Sequence, residues 1–69
     1  MNDNVYAVTE IVGSSKESME DAIRGAVATA SKTLRNLEWF EVTETRGYIE
    51  GDRVAYFQVM LKIGFRYDR

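Results

Sequence analysis

Residues 37–66, Leu-Glu-Trp-Phe-Glu-Val-Thr-Glu-Thr-Arg-Gly-Tyr-Ile-Glu-Gly-Asp-Arg-Val-Ala-Tyr-Phe-Gln-Val-Met-Leu-Lys-Ile-Gly-Phe-Arg, decide how this chain folds. Two apolar-rich runs, Trp39 to Ile49 and Arg53 to Phe65, flank Glu50-Gly51-Asp52. Their β-branched and aromatic side chains suit a pleated surface, and Gly51 can take the positive φ of a tight turn. The pattern predicts a β-hairpin. Strand side chains alternate, so Ala55, Phe57, Val59, Leu61, Ile63 and Phe65 share one face. Tyr56, Gln58, Met60 and Lys62 share the other. The first set is a core face. The second is neither plainly polar nor plainly apolar, and Trp39 opens the partner strand nearby.

Upstream, Val5 to Val12 reads as a strand that ends in a Gly13-Ser14-Ser15 turn. Ala7, Thr9 and Ile11 make one set, and Tyr6, Val8, Glu10 and Val12 the other; the charge of Glu10 places its set away from the core. Two N-cap patterns follow, Ser14 with Glu17 and Ser18 with Asp21. Apolar residues at Met19, Ala22, Ile23, Ala26, Val27, Ala30, Leu34 and Leu37 keep helical spacing, which predicts a helix from Ser18 to Asn36. Gly25 lowers local helix propensity by about 1 kcal/mol relative to Ala, and a close backbone contact is its expected role.

The element order is therefore β-α-β-β, an α+β fold in a single domain over residues 1–69. A helix of about 18 residues is ~27 Å long, enough to return the chain to the start of a strand. A right-handed crossover with the third strand between the other two satisfies every pairing direction. The result is a three-stranded antiparallel sheet, order 1-3-2, wrapped on one helix. The helix covers one face, and nothing in the chain remains to cover the other, which carries Tyr6, Val8, Tyr56, Gln58 and Met60. That open face is expected to meet other subunits or a ligand.

Composition narrows the chemistry. The 69 residues are 45% hydrophobic and 29% charged, which describes a small folded domain rather than a disordered chain. Cysteine and histidine are both absent. That removes disulfides, thiolate metal sites, thiol nucleophiles and the commonest general base, and no acidic loop spaced for calcium is present. No metal site and no catalytic residue is expected. A net charge of −2 disfavours non-specific nucleic-acid binding. No apolar run approaches the roughly 18 residues that span a bilayer, and Met-Asn-Asp-Asn lacks the features of a signal peptide. A cytoplasmic protein without nucleic-acid or membrane partners is expected. Domains below about 70 residues seldom obtain more than roughly 3–5 kcal/mol from one core, so association of identical subunits is expected as well.

Four residues stand out as candidate ligand contacts. Trp39 is the only tryptophan, and with Phe40 on the apolar alternation it points with Glu41, Thr43 and Thr45. A large ring on a polar face suits an interface or a planar ligand, although a lone tryptophan is also a common core residue. Gln58 is either a solvated amide on an open sheet or a hydrogen-bonding partner for a heteroaromatic edge. Arg46 and Arg66 each end a strand segment, and either is a solvated cation or a phosphate ligand. Glu10, Glu41 and Glu44 are the remaining candidates for a catalytic base, but they alternate as solvated strand residues do.

At these residues the chain resembles the dodecins, small flavin-binding proteins. The matching stretches are Glu10-Ile11-Val12-Gly13-Ser14-Ser15, Trp39-Phe40-Glu41-Val42, Arg46-Gly47, and Gln58-Val59 through Gly64-Phe65-Arg66, within a likeness from Val5 to Tyr67. The resemblance implies a β-α-β-β subunit in a hollow homododecamer of cubic symmetry, with flavin pairs at two-fold axes between subunits. It implies that Trp39 stacks on the isoalloxazine ring and that Gln58 hydrogen-bonds its polar edge. Bacterial members hold flavin mononucleotide (FMN), with riboflavin a related candidate. Arg46 and Arg66 match basic positions that serve a phosphate-bearing ligand, FMN itself or coenzyme A. The implied role is flavin storage and photoprotection without catalysis; the alternative is a structural or partner-binding homo-oligomer without a cofactor.

Overall fold

The hairpin forms where its residues require it. β2 (Leu37–Glu50) and β3 (Arg53–Arg66) pair antiparallel around Gly51-Asp52, with Gly51 at φ 67°. The structure, a computed structural model, describes residues 3–67, so the ends of the domain expected over 1–69 lie outside the described residues. β1 (Tyr6–Ser15) pairs antiparallel with the other side of β3, and the order β1-β3-β2 is the one expected. Helix α1 (Met19–Ala30) lies on one face, against β1 and β3. The core is the meeting of Val59, Leu61 and Ile63 with Ala22, Ala26 and Ala30, flanked by Ile11, Met19, Ile23, Val27, Leu34 and Leu37. An alanine every fourth residue lets the helix backbone approach the sheet closely.

Four expectations are corrected. The helix ends at Ala30, not Asn36. Thr29, Ser31 and Thr33 belong to a run that competes for backbone hydrogen bonds, and the Ser31 hydroxyl donates to the Ala28 carbonyl at 2.8 Å. Beyond it Lys32 and Thr33 bond three residues back, and Asn36 turns the chain into β2 at φ 60°. Leu34 and Leu37 still reach the core, which is why the apolar stripe outlasts the helix.

Gly13-Ser14-Ser15 is not a turn but the end of β1, paired as far as Ser15 with Phe57. Ser14 consequently does not cap the helix. Ser18 does, accepting from the Asp21 backbone N–H at 3.0 Å. Behind it the buried Ser15 hydroxyl donates to Asp21 Oδ2 at 2.7 Å and accepts from the Glu17 N–H at 2.8 Å.

The close backbone contact lies at Gly13, not Gly25. A Cβ at Gly13 would collide with the Ala22 carbonyl and stand 3.0 Å from Ala26 Cβ, whereas one at Gly25 would meet open space. Finally, the helix covers its face only in part. Phe40 and Val42 point to the helix side of β2, opposite Ile63 and Leu61, yet remain 49% and 40% exposed.

Gly13→Ala is expected to lose about 1–3 kcal/mol through overpacking. Gly25→Ala is expected to gain about 0.5–1 kcal/mol from helix propensity. Urea midpoints of the two variants, measured side by side, check this opposition.

Candidate functional site

The face turned away from the helix is built by the pairing register. Across it run the rows Tyr6–Arg66, Val8–Gly64–Trp39, Glu10–Lys62–Glu41, Val12–Met60–Glu44 and Ser14–Gln58–Arg46, with Tyr56–Tyr48 beyond. Trp39, Gln58, Arg46 and Arg66 all lie on this face. None of the four lines the groove of about 670 Å³ between β1 and α1, which Ile11, Ala26 and Leu34 help to form.

Arg46 reaches the face through a bulge. Strict alternation from Trp39 would send Thr43 and Thr45 outward and Arg46 toward the helix side. The register shifts between Val42 and Glu44, so Thr45 pairs with the buried Val59, and Glu44 and Arg46 come out beside Met60 and Gln58. The Thr43 hydroxyl donates to the Met60 carbonyl at 3.2 Å and ties the bulge to β3. Arg46 therefore sits within β2 rather than at the end of a strand segment, while Arg66 does end β3.

The rows divide the four residues into two groups. At one end the Trp39 indole lies flat over Gly64 and meets Tyr6 in a T-shaped contact (ring centroids 5.2 Å apart, planes at 66°). Arg66 pairs with Glu38 at 3.4 Å there. Trp39 is 43% exposed, so the indole face away from Gly64 is available. At the other end Gln58 donates to the Ser14 hydroxyl at 3.4 Å and accepts from Arg46 at 3.5 Å. Both bonds are long, and a ligand edge with better geometry can replace them. Arg46 pairs with Glu44, and Tyr48 and Glu44 raise its already high pKa, which keeps it cationic. Tyr48 stacks on Tyr56 at 4.7 Å.

Gln58 and Gly64 stand six steps apart along β3, roughly 20 Å at the strand rise. One chain does not bring Trp39 and Gln58 to the same planar ring. Among the described residues no cluster of three or more acidic side chains is placed to hold a metal. None of the described helices is long and apolar enough to cross a membrane. Sequence reasoning missed Ser14 and Tyr6 as neighbours of the candidate residues. Strand parity already put Tyr6 on this face, and the continuation of β1 past Gly13 is what adds Ser14.

Comparisons with known proteins agree with this fold. The sequence profile of the family described as Dodecin matches residues 5–68. A curated Dodecin from Thermus thermophilus is 53% identical over 62 residues, 90% of each chain. The solved dodecin of Streptomyces coelicolor is 52% identical, with a TM-score of 0.94 over 100% of this chain and 99% of that one. A tryptophan-to-phenylalanine variant of the Thermus thermophilus dodecin is 48% identical, with a TM-score of 0.91 over 97% of this chain and 100% of that one. Arginine-to-alanine variants of the same dodecin are also among the similar structures.

The contacts of Gln58 and Arg46 are exposed, and exposed pairs of this kind contribute about 0–1 kcal/mol. Gln58→Leu and Arg46→Ala are each expected to change unfolding free energy by less than about 1 kcal/mol. Thermal midpoints check this, and a larger loss would show that these side chains hold the fold.

Proposed function

The chain belongs to the dodecin family, and on that premise we propose that it binds a flavin, FMN or riboflavin, between copies of itself and sequesters it. One observation carries the reading: a half-free indole and a weakly held carboxamide stand at opposite ends of one uncovered sheet face. The span between them is too wide for a single tricyclic ring. A two-fold axis meets this requirement, because it sets residue i of one copy against residue j of the other and the reverse. Trp39 of one subunit then stacks on the ring while Gln58 of a second subunit offers its amide to the polar edge. The homododecamer is the assembly this reading adopts.

The residues present fit such a ligand. A flat apolar platform and an amide with donor and acceptor are what an isoalloxazine ring presents partners for. Arg46 and Arg66 lie at the two ends, each in an exposed ion pair weak enough for a phosphate to displace. FMN, or coenzyme A as a second ligand, would engage them through that phosphate.

A bound flavin would supply an excitable, redox-active ring. Trp39, stacked against that ring, would quench its excited state, so that absorbed light would be dissipated and the flavin protected. No catalytic residue is assigned. Glu10 and Glu41 flank Lys62 in an exposed row, Glu44 is paired with Arg46, and stacking on both sides closes the ring faces that hydride transfer requires. Storage and photoprotection in the cytoplasm is the function proposed, with no nucleic-acid or membrane partner.

Trp39→Ala is expected to weaken flavin binding by at least about tenfold, the factor that corresponds to ~1.4 kcal/mol of lost contact. Titration of flavin fluorescence, run with native mass, measures it; wild-type protein should quench the emission as it binds. Absence of flavin uptake by the wild type, with Trp39→Ala dispersing the assembly, would assign the face to subunit contact alone.

A further inference from the structure

We propose that Gly64 and Tyr6 hold the Trp39 indole in its stacking orientation before any ligand arrives, Gly64 setting its depth and Tyr6 its tilt. The proposal deepens the reading of Trp39 as the flavin platform and rests on it. A tryptophan on an open strand face has several staggered rotamers available, and a binding partner would have to select one. Here the choice is already made. The indole Cδ2, Cε2 and Cζ2 lie so close over Gly64 that any Cβ at that position would overlap them. Gly64 is buried although it belongs to the uncovered face, because the indole roofs it.

Every other outward-facing position of β3 from Tyr56 to Arg66 carries a side chain that would lift the ring away from the strand. Glycine inside a strand is otherwise unfavourable and often marks a close approach, which at Gly64 is that of the indole. Tyr6 closes the remaining freedom. Its ring stands 5.2 Å from the indole in a T-shaped arrangement, a favoured geometry for two aromatic quadrupoles, and its hydroxyl accepts from Asn4 Nδ2 at 3.3 Å. Three elements thus converge on one ring: β2 supplies the indole, β3 its floor and β1 its lateral stop. The entropy of ordering the platform is lost on folding, and binding does not lose it again.

The test compares wild type, Gly64→Ala and Tyr6→Leu as full assembled protein. Near-UV circular dichroism of the indole bands is recorded without flavin, and FMN and riboflavin are then titrated by fluorescence quenching. Gly64→Ala is expected to lose most of the indole signal and to raise the flavin dissociation constant by about tenfold or more, with native mass unchanged. Tyr6→Leu is expected to reduce both to a smaller extent. Wild-type affinity and an unaltered indole signal in Gly64→Ala would overturn the proposal. If Gly64→Ala fails to assemble, Gly64→Ala/Trp39→Phe decides: recovery with the smaller ring places the clash at the indole, and continued failure overturns the assignment. If wild type itself binds no flavin, the preceding reading falls, while the flavin-free dichroism still decides whether Gly64 seats the ring.

Discussion

A short helix is set against long strands, and the rest of the molecule follows from that mismatch. α1 has 12 residues, about 18 Å of length, while β2 and β3 have 14 each, about 46 Å. One helix of that size covers the inner side of β1 and β3 and leaves the far face bare. It also leaves Phe40 and Val42 exposed on its own side of the sheet. Among the described residues no further element covers this apolar surface. In the proposed assembly, association would then be part of the fold energetics rather than an addition to it.

The bare face is ordered by strand register. The bulge at Thr43 shifts parity between Trp39 and Arg46, so that these two, seven residues apart and on opposite sides by simple alternation, emerge on the same side. Without it the guanidinium would lie on the helix side of the sheet and Gln58 would lose one of its two neighbours. Distance supplies the second ordering element. The indole and the carboxamide stand at opposite ends of the face, and in the proposed function a symmetry operation between two identical faces would reunite them.

How much of this was legible in the sequence depends on the physics behind each feature. The hairpin, the strand order and the buried set Val59, Leu61 and Ile63 follow from alternation and turn chemistry, which are local. The register of hydrophobic residues likewise put Trp39, Tyr6 and Gln58 on the open side. Features set by tertiary contact were less accessible. The apolar stripe ran on through Leu34 and Leu37 because a loop can bury the same side chains a helix would. The sequence Gly-Ser-Ser after Val12 carries turn composition, yet pairing with β3 keeps it extended, and Gly13 is there to let the helix pass close by. At Gly25 the same residue type has no such neighbour within the chain. A bulge has no composition signal strong enough to announce itself, so Arg46 reached the right face for a reason that periodicity does not contain.

The central place of β3 governs when the sheet can come into being. β1 and β2 each pair only with β3, which follows both of them in the chain. On the ribosome, neither earlier strand finds its ladder partner until β3 has been made, and α1 has no sheet to pack on before then. The nascent chain therefore gains its tertiary order late and in one step, after the hairpin closes and β1 is recruited across a separation of more than forty residues.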